Sequence, residues 1–155
     1  MVKPNDVDAL LEAGRDRIAQ GQPFYGVEPL ERAQALAPGD WRAPSLLAVA
    51  YAETKRDADS RTAFARALQL SPENPQIIAN MALSLAAHGQ AAEAERMLRH
   101  AATLPGATAR ERQNLALVLG LQGKMAEAEG LIRRDLPPDL ADANLAYLKA
   151  AAEAR

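Results

Sequence analysis

Side chains that could make or break covalent bonds are few in this 155-residue chain. His88 and His100 are its only histidines. No cysteine accompanies them and neither stands at a metal-ligand spacing from carboxylates, so no metal is expected. The four serines, Ser45, Ser60, Ser71 and Ser84, form no nucleophile arrangement with a histidine, and no glycine-rich loop is present to cradle phosphate. The chain therefore reads as having no catalytic residue and no cofactor. What it offers instead is non-covalent. Its asparagine and glutamine side chains carry amides, which donate and accept at once and can hold a peptide by its backbone, and its arginines add charge-assisted donors.

The elements that position these groups follow from composition. Apolar residues make up 48% and charged residues 25%, enough to fold a core rather than leave a disordered chain. Aromatics are only 4%, with Trp41 the single tryptophan, so the packing must come from Ala and Leu. Alanine has the highest helix propensity and lets helices approach closely, which points to an all-α fold. A net charge of −2 gives no positive field to gather phosphate backbones, so nucleic acid is not an expected partner. The absence of cysteine removes disulfides and leaves the compartment open. No run approaches the length of a membrane span, and Met1 to Asp8 lacks the apolar stretch of a secretory signal.

The chain is organised by a repeat. Gly21, Lys55, Gly89 and Gly123 follow one another at intervals of 34 residues. Ala13, Leu47, Met81 and Leu115 precede them in register, each followed by a small residue: Gly14, Ala48, Ala82 and Ala116. Gly26, Ser60, Ala94 and Ala128 follow the turns in register, and Ala33, Ala67 and Ala101 come later still. Turn signals agree with this period: Pro38-Gly39, Ser71-Pro72, Pro105-Gly106 and Pro137-Pro138 close the units. Asn5 or Asp6 is expected to cap the first helix, with Gly21 in the left-handed conformation at its end, and Asn74-Pro75 to open the third unit. Pro44 belongs to an opening turn.

A helix–turn–helix period of this length, with a large residue before a small one and an Ala-rich second helix, resembles the tetratricopeptide (TPR) family. The best match pairs Leu47, Ala48 and Tyr51 with Phe64, Ala67 and Leu68. The resemblance implies a TPR α-solenoid, a right-handed superhelix of four repeats at about 7–40, 41–74, 75–108 and 109–138, forming one domain over 1–155. A capping helix at about 139–154, carrying Leu140, Ala143, Tyr147, Leu148 and Ala151, would solvate the last repeat.

In that family the first helix of each pair lines the concave surface. Here those helices carry Arg42, Ser45, Val49 and Glu53, then Gln76, Ala79, Asn80 and Leu83, then Arg110, Gln113, Asn114 and Leu117. Val49, Leu83 and Leu117 would floor a groove whose polar residues hold an extended segment. Taken singly, each of those polar residues is equally well explained by solvating an exposed face; as a set they favour a groove. Chaperone-binding members clamp a C-terminal carboxylate with Lys and Asn residues on successive first helices. Asn80, Arg110 and Asn114 fall at the later clamp positions, but Ser45 and Val49 stand where Lys and Asn are needed. The exposed Glu–Arg alternation at Ala91–Arg99 and Ala126–Arg134 reads as solvated helix surface, with Arg133-Arg134 a secondary docking candidate.

The stretch Arg112–Leu136, RQNLALVLGLQGKMAEAEGLIRRDL, continuing as PPDLADANLAYLKA, resembles the closing segment of the TadD-like TPR proteins of the bacterial tight-adherence (Tad) pilus system. The likeness covers roughly the last quarter of the chain. It implies a non-enzymatic assembly factor for a Flp-like type IVb pilus or secretion system, with a secretin or another pilus-assembly component as partner. Members of that group are commonly exported, often as lipoproteins. This chain shows neither signal segment nor lipobox cysteine, so the expected location is the periplasm or outer membrane if a leader is missing from these residues, and the cytoplasm otherwise. The alternative is a general TPR adaptor or co-chaperone unrelated to pili.

Overall fold

The computed structural model describes residues 5–154. Residues 1–4, half of the stretch read for an export signal, and residue 155 lie outside the described residues, as do the two ends of the expected 1–155 domain. The described residues are all helical, without a strand: α1 (Val7–Ala19), α2 (Pro23–Leu36), α3 (Arg42–Glu53), α4 (Asp57–Leu70), α5 (Pro75–Ala87), α6 (Ala91–Ala101), α7 (Ala109–Leu121), α8 (Met125–Asp135) and α9 (Pro138–Glu153). They divide into two compact units, Met1–Glu73 with α1–α4 and Asn74–Arg155 with α5–α9. The division falls where the second expected repeat gives way to the third.

The 34-residue frame has one physical cause. Gly21, Lys55, Gly89 and Gly123 all adopt positive φ, at 70°, 63°, 82° and 79°. Each ends the first helix of a hairpin in the same pair of hydrogen bonds. After α1, Gly21 N donates to Ile18 O at 2.9 Å and Gln22 N to Arg17 O at 2.8 Å; after α3, Lys55 N donates to Ala52 O and Arg56 N to Tyr51 O. The turns at Gly89 and Gly123 repeat the pattern. This left-handed cap satisfies carbonyls that the helix end would otherwise leave bare and reverses the chain.

In the first unit, Asp6 caps α1 by accepting from Ala9 N at 3.1 Å. Leu10 and Leu11 are buried, and Gly14 sits where α1 meets α2. A Cβ on Gly14 would lie 2.3 Å from Leu30 Cγ, and one on Gly26 would lie 3.0 Å from the Gly14 carbonyl oxygen. Two small residues thus mark the crossing of the first hairpin, which is why this repeat carries glycine at both positions. The second hairpin uses Ala48 and Ser60 at the equivalent crossing. There the buried Ser60 hydroxyl donates to the Ala48 carbonyl at 2.8 Å. Leu30, Leu47, Phe64 and Ala67 complete this unit's interior.

The second unit has its own core. Ala82, Ala94, Leu98, Leu115, Ala116, Leu119, Ala128 and Ile132 form one buried cluster with Ala141, Leu145 and Leu148 of α9. Asn74 caps α5, accepting from Gln76 N at 2.9 Å, with Pro75 at the first helical position. The ninth helix packs on α7 and α8. It opens at Pro138, and its inward stripe is Ala141, Leu145 and Leu148. Leu140 is 54% exposed, Tyr147 is 69% exposed and Ala143 is exposed, while Ala151 is half-buried. The register is set by Leu148, which packs on α7 at Gly120: a Cβ there would lie 3.3 Å from its methyl carbons.

Candidate protein-binding faces

The expected site residues fall on three helices. On α3, within the first unit, Arg42 is engaged in ion pairs while its side chain stays 42% exposed, and Ser45 is buried. The Arg42 guanidinium forks onto Asp40, with Nε 3.0 Å from Oδ1 and Nη2 2.6 Å from Oδ2, and also meets Asp8 of α1 at 3.0 Å. Arg42 holds the Asp40 carboxyl below the ordinary range, and that carboxylate also accepts from Arg42 N at the start of the helix. Arg42 is thus a strut tying α1 to the opening of α3. Ser45 is 1% exposed because it lies on the buried stripe of Pro44, Ala48 and Ala52. Val49 is half-buried.

In the second unit, α5 and α7 are packed neighbours and carry the remaining candidates. Gln76, Arg110 and Gln113 are exposed, and Asn80, Leu83, Asn114 and Leu117 are half-buried. Leu83 and Leu117 lie against the core cluster while keeping part of their surface open. The side chains of Gln76, Arg110, Gln113 and Asn114 make no hydrogen bond or ion pair with another described residue, whereas Asn80 has a partner within the protein. Their donors and acceptors are thus free beside apolar surface, the combination that holds a backbone in an extended segment.

What positions this face is the fixing of α7 at both ends, which the sequence reading missed. At its start, Thr108 and Glu111 form a capping box: Thr108 N and Oγ1 donate to Glu111 Oε2 at 2.7 and 2.9 Å. Glu111 is fully buried, and its Oε1 has no hydrogen-bond partner among the described residues, so Oε2 alone holds it. The Thr-x-x-Glu spacing was the available signal. One turn on, Arg112 makes a two-pronged pair with Asp135 at the end of α8, both contacts 2.8 Å, and holds that carboxyl below the usual range. At the far end, Lys124 Nζ and Gln122 Nε2 donate to Glu95 Oε2 at 2.7 and 2.8 Å, while Arg99 donates to Oε1. Arg99 also pairs with Glu127. With Lys124 the chief cause, Glu95 is held at about 2. A helix anchored in this way presents Arg110, Gln113 and Asn114 from a rigid support.

The histidines lie apart from this face. His88 ends α5, with Nδ1 2.8 Å from the Ser84 carbonyl oxygen, and His100 is on α6. Arg133 is occupied by Glu129 and Asp142.

Helix hairpins of this length, joined by left-handed caps and crossing at small residues, have the fold of tetratricopeptide solenoid proteins. No protein-family profile and no curated protein sequence matches the chain. Among solved structures, TTC0263, a thermophilic TPR protein of Thermus thermophilus, superposes with a TM-score of 0.79 at 21% identity, covering 94% of this chain and 82% of that one. PilW, a widely conserved type IV pilus biogenesis factor, gives 0.72 at 20% identity, covering 95% and 70%. Pseudomonas aeruginosa pilF gives 0.69 at 22% identity, covering 95% and 69%. At these identities the likeness establishes the fold.

Proposed function

We propose that this protein is a non-enzymatic scaffold that binds an extended segment of a partner protein on the α5–α7 face, and that it serves assembly of a Tad/Flp type IVb pilus or a related secretion system. The observation that carries the binding reading is the set of unengaged side chains on Gln76, Arg110, Gln113 and Asn114 beside the part-open Leu83 and Leu117. The pilus reading is supported by the Arg112–Leu136 run and by the likeness in fold to PilW, a type IV pilus biogenesis factor. A secretin or another pilus-assembly component is the partner class. No described helix is long and apolar enough to cross a membrane.

Affinity capture from the native host, with the wild-type chain and a Gln113→Ala/Asn114→Ala variant compared by mass spectrometry, tests both parts. Pilus or secretin components recovered with the wild type and lost with the variant are the expected result. The same components retained by the variant would move the interface off this face, and a set led by cytosolic chaperones would replace the pilus reading with the general adaptor.

A further inference from the structure

A second surface, on the first unit and independent of the α5–α7 face, has the chemistry of a cation-binding cleft. Phe24 and Tyr25 open α2 and stand 73% and 65% exposed, with their rings edge-to-face at 5.6 Å. Core packing does not require two adjacent exposed rings in a chain so poor in aromatics. They form one wall of a cavity of about 370 Å³, which Glu28 and Glu31 on α2 and Thr54 and Arg56 at the α3–α4 turn complete.

The far wall already shows how such a cleft holds a guanidinium. Arg56 lies 4.3 Å over the Tyr51 ring, and its Nε donates to Asp59 Oδ2 at 2.8 Å. A planar cation rests on a ring face while a carboxylate takes its edge. The near wall repeats these parts without a cation of its own on the rings. Glu28 Oε1 accepts from Arg32 at 3.3 Å and Glu31 Oε1 accepts from the Tyr51 hydroxyl at 3.0 Å. The second oxygen of each carboxylate makes no hydrogen bond with a described residue. Pro29, inside α2, has no N–H, so the Tyr25 carbonyl lacks the donor a regular helix would supply. The α2 wall thus offers aromatic surface and one open carboxylate oxygen on each of Glu28 and Glu31, beside cations that are already paired, Arg32 with Glu28 and Arg56 with Asp59.

We infer that this cleft binds an arginine side chain of a partner segment, its guanidinium stacked on one ring face of the edge-to-face Phe24–Tyr25 pair and donating to Glu28 and Glu31. An arginine suits the site better than a lysine because its flat, weakly hydrated head can stack and donate at once.

The test is titration of the whole ¹⁵N-labelled protein with acetyl-Ala-Ala-Arg-Ala-Ala-amide, and with the same peptide carrying citrulline, which keeps the shape and removes the charge. The expected result is amide shifts gathered at Phe24, Tyr25, Glu28, Glu31 and Thr54, with citrulline about fivefold weaker, the worth of one exposed cation–π contact. Glu28→Gln/Glu31→Gln should weaken the arginine peptide while leaving it tighter than the citrulline one, since the rings and their cation–π contact remain, and Phe24→Ala should weaken it while leaving the rest of the spectrum in place. Equal binding of the two peptides, shifts gathered elsewhere, or full affinity in both variants would overturn the assignment.

Discussion

Lys55 is the residue at which the repeat departs from its own rule. It occupies the left-handed position that glycine fills in the other three hairpins, with φ of 63°. A side chain there strains against the following carbonyl by about 1–2 kcal/mol, part of which glycine returns through the greater freedom of its unfolded chain. Lys55→Gly should therefore stabilise the protein by about 1 kcal/mol, read as a higher urea midpoint; a lower midpoint would show that Lys55 makes a compensating contact. Glu95 works in the opposite sense. Its carboxyl is held at about 2 against an ordinary 4.5, so it contributes stability that is fully present above pH 4.5 and is lost as the pH falls toward 2. Asp40 and Asp135, also lowered, add to the same acid side. Thermal melts from pH 5 to pH 2 should fall more steeply for the wild type than for Glu95→Gln, and parallel curves would remove Glu95 from the account.

At the scale of the element, each hairpin needs a crossing of small residues and a left-handed turn, and α9 needs a seat. Leu148 supplies that seat on Gly120, so Leu148→Ala should cost about 2–5 kcal/mol through the cavity it leaves. Tyr147→Ala, on the exposed face, should change stability by no more than about 0.5 kcal/mol. Equal losses would mean that α9 docks in another register. The hairpins were legible in the sequence because the turn chemistry and the small residues recur at one period. Asn74, Asp6 and Gly21 sit where local rules put them, and the turns at Lys55, Gly89 and Gly123 follow at the period. The face of α9 was not legible, because apolar residues fall on every side of that helix and only the seat at Gly120 chooses among them. The surroundings of Arg42 and Ser45 were not legible for a related reason. Position along a helix indicated a face, but the competing claims of Asp40, Asp8 and the buried stripe of Pro44, Ala48 and Ala52 are tertiary facts.

At the scale of the whole molecule, the chain divides into two compact units with different surface chemistry. The first carries an aromatic and acidic cleft beside α2; the second carries amides and one arginine over half-buried leucines on α5 and α7. A formal charge of −2 leaves both to act through local chemistry rather than a long-range field. The central claim is that the α5–α7 face is the one that meets a partner in the pilus or secretion role. Its most direct test is a photo-crosslinking amino acid placed at Gln113 on α7 or, as a control, at the exposed Arg96 on α6, with irradiation of intact native host cells. A discrete adduct to one envelope protein from position 113, absent from position 96, is the result this account predicts. The same adducts from both positions, or none from 113 alongside a strong one from 96, would contradict it.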